Sequence, residues 1–177
     1  MTELQVDPGG TLDAPTVDED GRQRGRIDGV VSARLNPHVD HRGSLYEIVN
    51  FDHPFWEEAV VYAYAVTIRP GRIKGWGMHK VQSDRYLVVH GSVRVALYDG
   101  RAGSATQGLV EEHYLTDALP TLLLIPPGVW HADQNWGDDD ALILNFPTQP
   151  YDRESPDKYR IDPHSGEIPF DWSLPDG

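Results

Sequence analysis

Short apolar runs separated by turn residues recur along the middle of the chain. Val93, Val95 and Leu97 alternate with Arg94, Ala96 and Tyr98, the two-residue period of a strand with one buried face. Turn residues interrupt such runs at intervals of about 8 to 12 residues, the spacing of sandwiches and barrels. The middle of the chain shows no long stretch with the period of an amphipathic helix. The pattern therefore predicts an all-β fold.

Individual runs predict individual strands and turns. The strand-like runs are 30–35, 45–49, 59–68, 86–89, 93–98, 109–115, 121–125 and 141–146. The sequence His90-Gly91-Ser92 lies between two of these runs and predicts a hairpin turn. Pro127-Gly128 predicts another turn, which would place His131 on the strand that follows it.

Composition divides the chain into three parts. Residues 1–28 contain several Pro and Gly, an acidic group and few large apolar side chains, which predicts a weakly ordered N-terminal arm. Alternatively, this arm wraps a partner subunit. Residues 29–147 hold the strand-like runs and are expected to form the barrel. Residues 148–177 carry several aromatic side chains, so we expect this C-terminal segment to pack on the barrel.

Charge and residue content narrow the range of functions. The 28 acidic and 15 basic residues give a formal charge of -13, which disfavours binding to nucleic acids or anionic membranes. A few basic side chains in one pocket could still bind a nucleotide-sized anion. The absence of cysteine excludes disulfides and thiol nucleophiles. Without a signal-peptide pattern or a run of roughly 20 apolar residues, a cytoplasmic protein is expected.

Two glycine-containing stretches carry histidines at regular spacing. The first reads Gly-x5-Gly-x-His-x4-Asp-x6-Gly, and the second reads Pro-x-Gly-x2-His-x3-Asn. Their fixed positions are Gly71, Gly77, His79, Asp84, Gly91, Pro126, Gly128, His131 and Asn135. Together they resemble the paired motifs of the cupin superfamily, with Gly77 in place of the first histidine and Asp84 in place of a glutamate. The resemblance implies a double-stranded β-helix, or jelly roll.

A narrower resemblance covers roughly residues 29–172. Four segments are similar to segments of the dTDP-4-dehydrorhamnose 3,5-epimerase family. They are Asp40-His41-Arg42-Gly43, Gly77-Met78-His79, the stretch 125–131 and the stretch 159–172. This resemblance implies an isomerase or epimerase that removes a proton next to the keto group of a nucleotide-linked 4-keto-6-deoxy sugar. It also implies a homodimer that needs no metal or other cofactor.

The resemblance also implies roles for single residues. His79 would be the catalytic base and Asp162 its orienting partner, since an oriented imidazole is a suitable base near neutral pH. The implied substrate-binding residues are Arg42, which would contact the diphosphate, Glu47, Gln82, His131 and Asn145.

Three departures from the family pattern leave alternatives open. Asn145 stands where that family has a tyrosine that returns a proton, Trp76 stands for an arginine, and Asp84 stands for a lysine. An enzyme that moves only one proton, a ketoisomerase or a non-catalytic sugar-binding protein would also fit.

A further alternative is a metal-dependent cupin enzyme. His79, Asp84 and His131 occupy three of the four ligand positions of the general cupin pattern. Two histidines and one carboxylate suit Fe(II) or Mn(II).

Overall fold

In the computed structural model, which describes residues 22–174, the chain folds almost entirely into antiparallel strands. The strands are β1 Arg22–Arg24, β2 Val31–Arg34, β3 His38–Asp40, β4 Gly43–Leu45, β5 Tyr64–Ile68, β6 Ile73–Met78, β7 Asp84–His90, β8 Ser92–Asp99, β9 Val110–Thr116, β10 Thr121–Ile125, β11 Val129–Asn135, β12 Ala141–Asn145 and β13 Tyr159–Arg160. A 3₁₀ helix spans Pro54–Trp56. Among the described residues, no helix is long and apolar enough to span a membrane.

The strands form two large sheets and one small hairpin. The six-stranded sheet has the order β1-β2-β10-β7-β12-β5, and the five-stranded sheet has the order β13-β6-β11-β8-β9. Strands β3 and β4 pair only with each other. This arrangement confirms the predicted all-β jelly roll.

The main core lies between the two large sheets. Val88 and Ile143 from the six-stranded sheet pack in one cluster with Val95 and Leu97 from the five-stranded sheet, and all four side chains are almost fully buried. Burial of each such side chain contributes about 1.5–3 kcal/mol. The alternating positions of β8 therefore point inward, as the two-residue period predicted.

The predicted hairpin at His90-Gly91-Ser92 is wrong. Strands β7 and β8 follow each other directly but belong to different sheets, so Gly91 forms a corner between the sheets. Its φ of 79° is in the left-handed region, and an added Cβ would lie 3.0 Å from the Cα of Ala141. Only glycine fits this corner without strain. The local sequence specifies a turn but not the sheet that the next strand joins.

Three other strand predictions need correction. Residues 59–63 of the run 59–68 are not in a strand, because β5 begins at Tyr64. The run 45–49 contributes only Leu45 to a strand, because β4 ends there, and residues 46–49 are not in a strand. Strand β6 was not among the predicted runs. Its Gly75 and Gly77 interrupt the alternation that identifies a strand from sequence.

The barrel begins earlier than residue 29. Strand β1 pairs with β2, and the side chain of Ile27 is fully buried in the main core. Residues 22–28 therefore belong to the folded domain. Residues 1–21 of the predicted arm lie outside the described residues.

The C-terminal segment contacts the barrel along β6. Strand β13 pairs with β6, and the rings of Phe170 and Trp172 lie 5.7 and 5.4 Å from that of Trp76. Trp76 is buried in this cluster. Residues 175–177 lie outside the described residues.

Candidate active site

A cavity of about 430 Å³ opens between β5, β6 and β11 and is bordered by the C-terminal segment. His131 and Asp133 both line it. They are two residues apart on β11, so the pleat of the strand points both side chains to the same face. Tyr64 of β5 and Tyr86 of β7 add two phenols to the wall, and Lys74, Lys158 and Arg160 border it.

Beside this cavity, His79, Asp84 and His131 converge on one point. The Nε2 atom of His79 lies 3.5 Å from Oδ2 of Asp84, and the Nε2 atom of His131 lies 3.4 Å from the same oxygen. The two imidazole rings are stacked with their centroids 5.8 Å apart. All three side chains are buried, with at most 7% of any residue exposed. The structure thus brings together residues from both sequence motifs.

The other ring nitrogen of each histidine faces a backbone carbonyl. Nδ1 of His79 donates to the carbonyl oxygen of Asp157, and Nδ1 of His131 lies 3.4 Å from the carbonyl oxygen of Val129. A carbonyl oxygen can only accept, so these contacts place a proton on Nδ1. In the neutral ring, the lone pair of each Nε2 then points toward Asp84.

Asp84 is held by two side-chain amides. Its Oδ1 atom accepts hydrogen bonds from Nε2 of Gln82 at 3.0 Å and from Nδ2 of Asn145 at 2.9 Å. Asn145 also donates to the hydroxyl of Tyr64 at 2.8 Å and accepts from the backbone N–H of Arg85 at 3.0 Å. Gln82 and Asn145 were expected to bind substrate. The structure instead places them around Asp84, where they fix the direction of Oδ2.

Asp162 does not orient His79, and this expectation is corrected. The Asp162 side chain is exposed, and its Oδ1 atom accepts the backbone N–H of His164 at 2.8 Å in a turn, as is common for Asp before Pro. The residue of the C-terminal segment that contacts His79 is Asp157. Its carboxylate also accepts the backbone N–H groups of Lys80 and Val81 at 2.9 and 2.8 Å.

Arg42 and Glu47 lie outside this cavity. Arg42 is on the β3–β4 hairpin, is largely exposed and forms an ion pair of 2.6 Å with Asp40. Glu47 lines a different concavity of about 680 Å³, together with Trp56. The structure therefore does not bring these two predicted substrate-binding residues to the histidines.

No sequence motif singles out Asp133, which is buried in the cavity wall. Burial, together with the charge of Asp84, raises its pKa to about 7, although the positive charges of Lys158 and Lys74 oppose the shift. Among the described residues, its Oδ1 atom has no hydrogen-bond partner. Its position two residues after His131 was the one feature that could have identified it.

The ionisable groups around Asp133 are also shifted by burial. Burial lowers the pKa of His131 to about 4 although the charge of Asp84 acts in the opposite direction. Burial likewise raises the pKa of Tyr86 well above its ordinary value. At neutral pH the imidazole of His131 and the phenol of Tyr86 are therefore both uncharged. Such strongly shifted groups in one cavity are typical of catalytic sites.

The chain has the jelly-roll fold and the buried histidine–carboxylate cluster that are typical of the cupin class of proteins. Within that class, residues 38–159 match the family described as "Polysaccharide biosynthesis C-terminal domain", and the chain belongs to this family.

Relatives with similar sequences have roles in glycan synthesis. The chain is 35% identical over 147 residues to the spore coat polysaccharide biosynthesis protein SpsL of Bacillus subtilis, a match that covers 83% of this chain and 97% of that protein. It is 32% identical over 140 residues to the probable low-salt glycan biosynthesis epimerase Agl13 of Haloferax volcanii, covering 78% and 90% of the two chains.

The fold is shared with structures of sugar-nucleotide enzymes. A dTDP sugar isomerase from Desulfovibrio desulfuricans superimposes with a TM-score of 0.78 at 28% identity, covering 85% of this chain and 94% of that one. The 4-keto-6-deoxy sugar epimerase NovW from Streptomyces spheroides gives a TM-score of 0.78 at 22% identity, covering 93% and 84%. The suspected likeness to dTDP-sugar epimerases is thereby confirmed at the level of fold.

Proposed function

We propose that this protein is an epimerase or isomerase that acts on a nucleotide-linked, dTDP-type 4-keto-6-deoxy sugar. The observation that carries this proposal is the buried His79–Asp84–His131 cluster beside a cavity large enough for a sugar. The activities named for the similar proteins support it, since one is a dTDP sugar isomerase and another a glycan biosynthesis epimerase.

In the proposed reaction, His79 removes a proton from a carbon next to the keto group. The C–H bonding electrons move into the C–C bond while the carbonyl electrons move to oxygen, which gives an enolate. A water molecule in the cavity returns a proton to the other face of the carbon and inverts the centre, and the hydroxide that it leaves takes up the proton from the His79 imidazolium. Asp157 fixes the tautomer of His79, and Asp84 stabilises the imidazolium that forms. His131 lines the cavity and contacts the sugar.

The proposal is tested by product analysis. The full chain is incubated with a dTDP-linked 4-keto-6-deoxy sugar, and the configurations at C3 and C5 are followed by NMR. We expect a new epimer or ketoisomer with the wild-type protein and none with His79→Gln. A wild-type protein that leaves several such sugars unchanged would favour the non-catalytic sugar-binding alternative.

A second candidate is a metal-dependent cupin enzyme, and one specific observation favours it. Two Nε2 lone pairs and a carboxylate oxygen meet with no hydrogen between them when both histidines are neutral. The three donor atoms lie within 4.8 Å of one another, and two histidines with one carboxylate are the donor set of Fe(II) sites that keep open positions. His79, Asp84 and His131 would hold the ion, and the ion would polarise a carbonyl oxygen.

Metal analysis separates the two candidates. The chelated protein is reloaded with Mn(II), or with Fe(II) in the absence of oxygen, and bound metal is measured by mass spectrometry. The metal candidate requires one ion per chain in the wild type, its loss in Asp84→Asn, and its retention in His113→Ala, since His113 pairs with Glu111 away from the cluster. Metal content far below one ion per chain removes this candidate.

We also propose that the protein is a cytoplasmic homodimer. The exposed apolar side chains on the β3–β4 hairpin support a subunit contact there, since Val39 is 75% exposed and Leu45 is 67% exposed. Light scattering coupled to size exclusion tests this: the mass should be twice 19.8 kDa. A monomeric mass at micromolar concentration contradicts it.

A further inference from the structure

Four buried side-chain nitrogen or oxygen atoms in the described part of the chain have no hydrogen-bond partner. Two of them, Nε2 of His79 and Oδ2 of Asp84, face each other and take part in the proposed reaction. A third, Nε2 of His113, lies 2.9 Å from a carboxylate oxygen of Glu111 and so has an ionic partner. The fourth is Oδ1 of Asp133, which neither the proposed reaction nor an ion pair uses.

The carboxyl group of Asp133 belongs to the wall of the cavity. Its side chain lies on the same face of β11 as His131, and only 5% of the residue is exposed. Among residues 22–174, no basic side chain forms an ion pair with it. The torsion that orients a carboxyl group is broad, so either oxygen can turn toward the cavity. A ligand that donates a hydrogen bond there removes the cost of a buried oxygen without a partner.

The sheet is irregular beside this side chain. In the pairing of β11 with β6, His131 lies opposite Gly77 and Asp133 lies opposite Lys74. Three steps along β6 therefore oppose two steps along β11. Bulges of this kind are common next to active sites, where they change the direction of a side chain. The interruption of the ladder falls between the two residues of β11 that line the cavity.

The proposed substrate class offers few hydroxyl groups to such an acceptor. In a nucleotide-linked 4-keto-6-deoxy sugar, C1 carries the nucleotide, C4 is a ketone, C5 bonds the ring oxygen and C6 is a methyl group. Hydroxyl groups therefore remain only at C2 and C3. Side chains two residues apart on one face of a strand are separated by about 7 Å. One sugar ring can thus contact His131 at one side and Asp133 at the other.

We propose that Asp133 determines the specificity of the cavity by accepting a hydrogen bond from the C2 or C3 hydroxyl of the sugar. The inference rests on the proposed function for its substrate class. A carboxyl oxygen accepts a hydrogen bond whether the group is ionised or protonated, so this role does not depend on the charge of Asp133. A sugar that lacks the hydroxyl leaves the carboxyl oxygen unpaired, and sites built to bind a hydroxyl reject such analogues strongly.

Calorimetric titration of the full chain with dTDP-6-deoxyglucose and with its 2-deoxy and 3-deoxy analogues tests the proposal. These compounds have no ketone, so their affinities are measured without turnover. The wild type should bind one of the two analogues about 5- to 150-fold more weakly than the parent compound. In Asp133→Leu, which has a side chain of similar shape but no acceptor, the parent compound and both analogues should bind with equal affinity.

Two further variants separate this role from a structural one. Asp133→Asn keeps a carbonyl oxygen as an acceptor and should retain a preference for the hydroxylated sugar. Asp138→Leu, at an exposed position of the same part of the chain, is the matched control and should show the wild-type preference. The thermal midpoint of Asp133→Leu should not fall, because leucine removes a buried oxygen that has no partner.

Equal affinity of the wild type for the parent compound and both analogues overturns the inference, whatever the variants do. An unchanged preference in Asp133→Leu also overturns it. If 4-keto sugars are converted although no such preference exists, the proposed function stands and only this inference fails. If the preference depends on Asp133 while no 4-keto sugar is converted, the proposed reaction fails and the specificity role stands.

Discussion

The Nε2 atom of His79 lies 3.5 Å from the Oδ2 atom of Asp84, and among the described residues neither atom has a hydrogen-bond partner. A buried carboxylate oxygen and a buried imidazole nitrogen are costly to leave unpaired. A proton taken from a substrate by Nε2 would create a hydrogen bond between them and place opposite charges side by side. The Asp84 carboxylate is thus placed to stabilise an imidazolium that forms at position 79 during the proposed reaction.

Removal of the Asp84 charge is therefore expected to impair catalysis. The variant Asp84→Asn keeps the size of the side chain but no longer stabilises an imidazolium at position 79. Loss of general-base function typically costs about 10²- to 10⁴-fold, and we expect kcat to fall within that range. Steady-state kinetics with a dTDP-linked 4-keto sugar measures it.

Asp162→Asn is the control for this experiment, because the sequence assigned the orienting role to Asp162. Its carboxylate is exposed and caps a turn, so the variant should retain wild-type kcat and stability within about 0.5 kcal/mol. A larger loss of kcat in Asp162→Asn than in Asp84→Asn would contradict the assignment.

Asn145 is expected to contribute to the stability of the fold, although the sequence assigned it to substrate binding. Its fully buried amide contacts Asp84, Tyr64 and the backbone of Arg85. Each buried polar group left unpaired costs about 1–3 kcal/mol, so Asn145→Ala should lower the free energy of unfolding by at least about 2 kcal/mol. Urea denaturation followed by tryptophan fluorescence measures this. The exposed Asn50→Ala serves as its control, and equal stabilities of the two variants would argue against the network.

Asp133 and His131 have opposite effects on stability as pH changes. The pKa of His131 is lowered to about 4, so its contribution is full above the unfolded value of about 6.5 and is lost as pH falls through the folded value. The pKa of Asp133 is raised to about 7, so its contribution is full below about 3.9 and is lost as pH rises through 7. Between pH 4 and 6.5 the two contributions to the free energy of unfolding change with pH in opposite directions, so the changes largely cancel.

Replacement of Asp133 removes this cancellation. In chelated Asp133→Asn protein, the free energy of unfolding should fall by on the order of 3 kcal/mol more than in the wild type as pH decreases from 6.5 to 4. Urea unfolding at several pH values gives the profile. The exposed residue Asp138 provides the matched variant, Asp138→Asn, which should follow the wild type. Parallel profiles for Asp133→Asn and the wild type would mean that Asp133 is ionised when folded.

Asp157 is expected to couple the C-terminal segment to His79. Its carboxylate accepts backbone N–H groups of residues 80 and 81, while its carbonyl oxygen accepts Nδ1 of His79. In Asp157→Ala, amide hydrogen exchange at 157–161 should become faster and kcat should fall. The substitution Asp152→Ala, in the same segment but away from His79, is the comparison. Unchanged exchange at 157–161 in Asp157→Ala would refute the coupling.

The fold followed from sequence because strand alternation and glycine positions are local properties. The two motifs also singled out His79, Asp84 and His131, which the structure brings together: His79 directly follows β6, and His131 lies on β11 after the turn at Gly128. The partner of His79 could not be derived in this way. Which residue of the C-terminal segment meets His79 depends on the register of β13 against β6, and that register selects Asp157 rather than Asp162.

For other residues of the site, neighbouring side chains and backbone groups take up the polar atoms that the sequence assigned to a ligand. Arg42 was assigned to an anion, but Asp40, two residues before it, already satisfies its charge. Asn145 was assigned to substrate, but three buried polar groups surround it. Lys74 and Lys158 had no motif context, and only the packing of the C-terminal segment brings them to one cavity.

Solvent deuterium exchange tests the central claim most directly. The chelated wild-type protein is incubated in heavy water with a dTDP-linked 4-keto-6-deoxy sugar, and deuterium at C3 and C5 is measured by NMR. If His79 is the base, deuterium enters at one or both carbons without added metal, and His79→Gln shows none above the uncatalysed rate. Exchange that occurs only after Mn(II) or Fe(II) is restored, or that persists in His79→Gln, would contradict the claim.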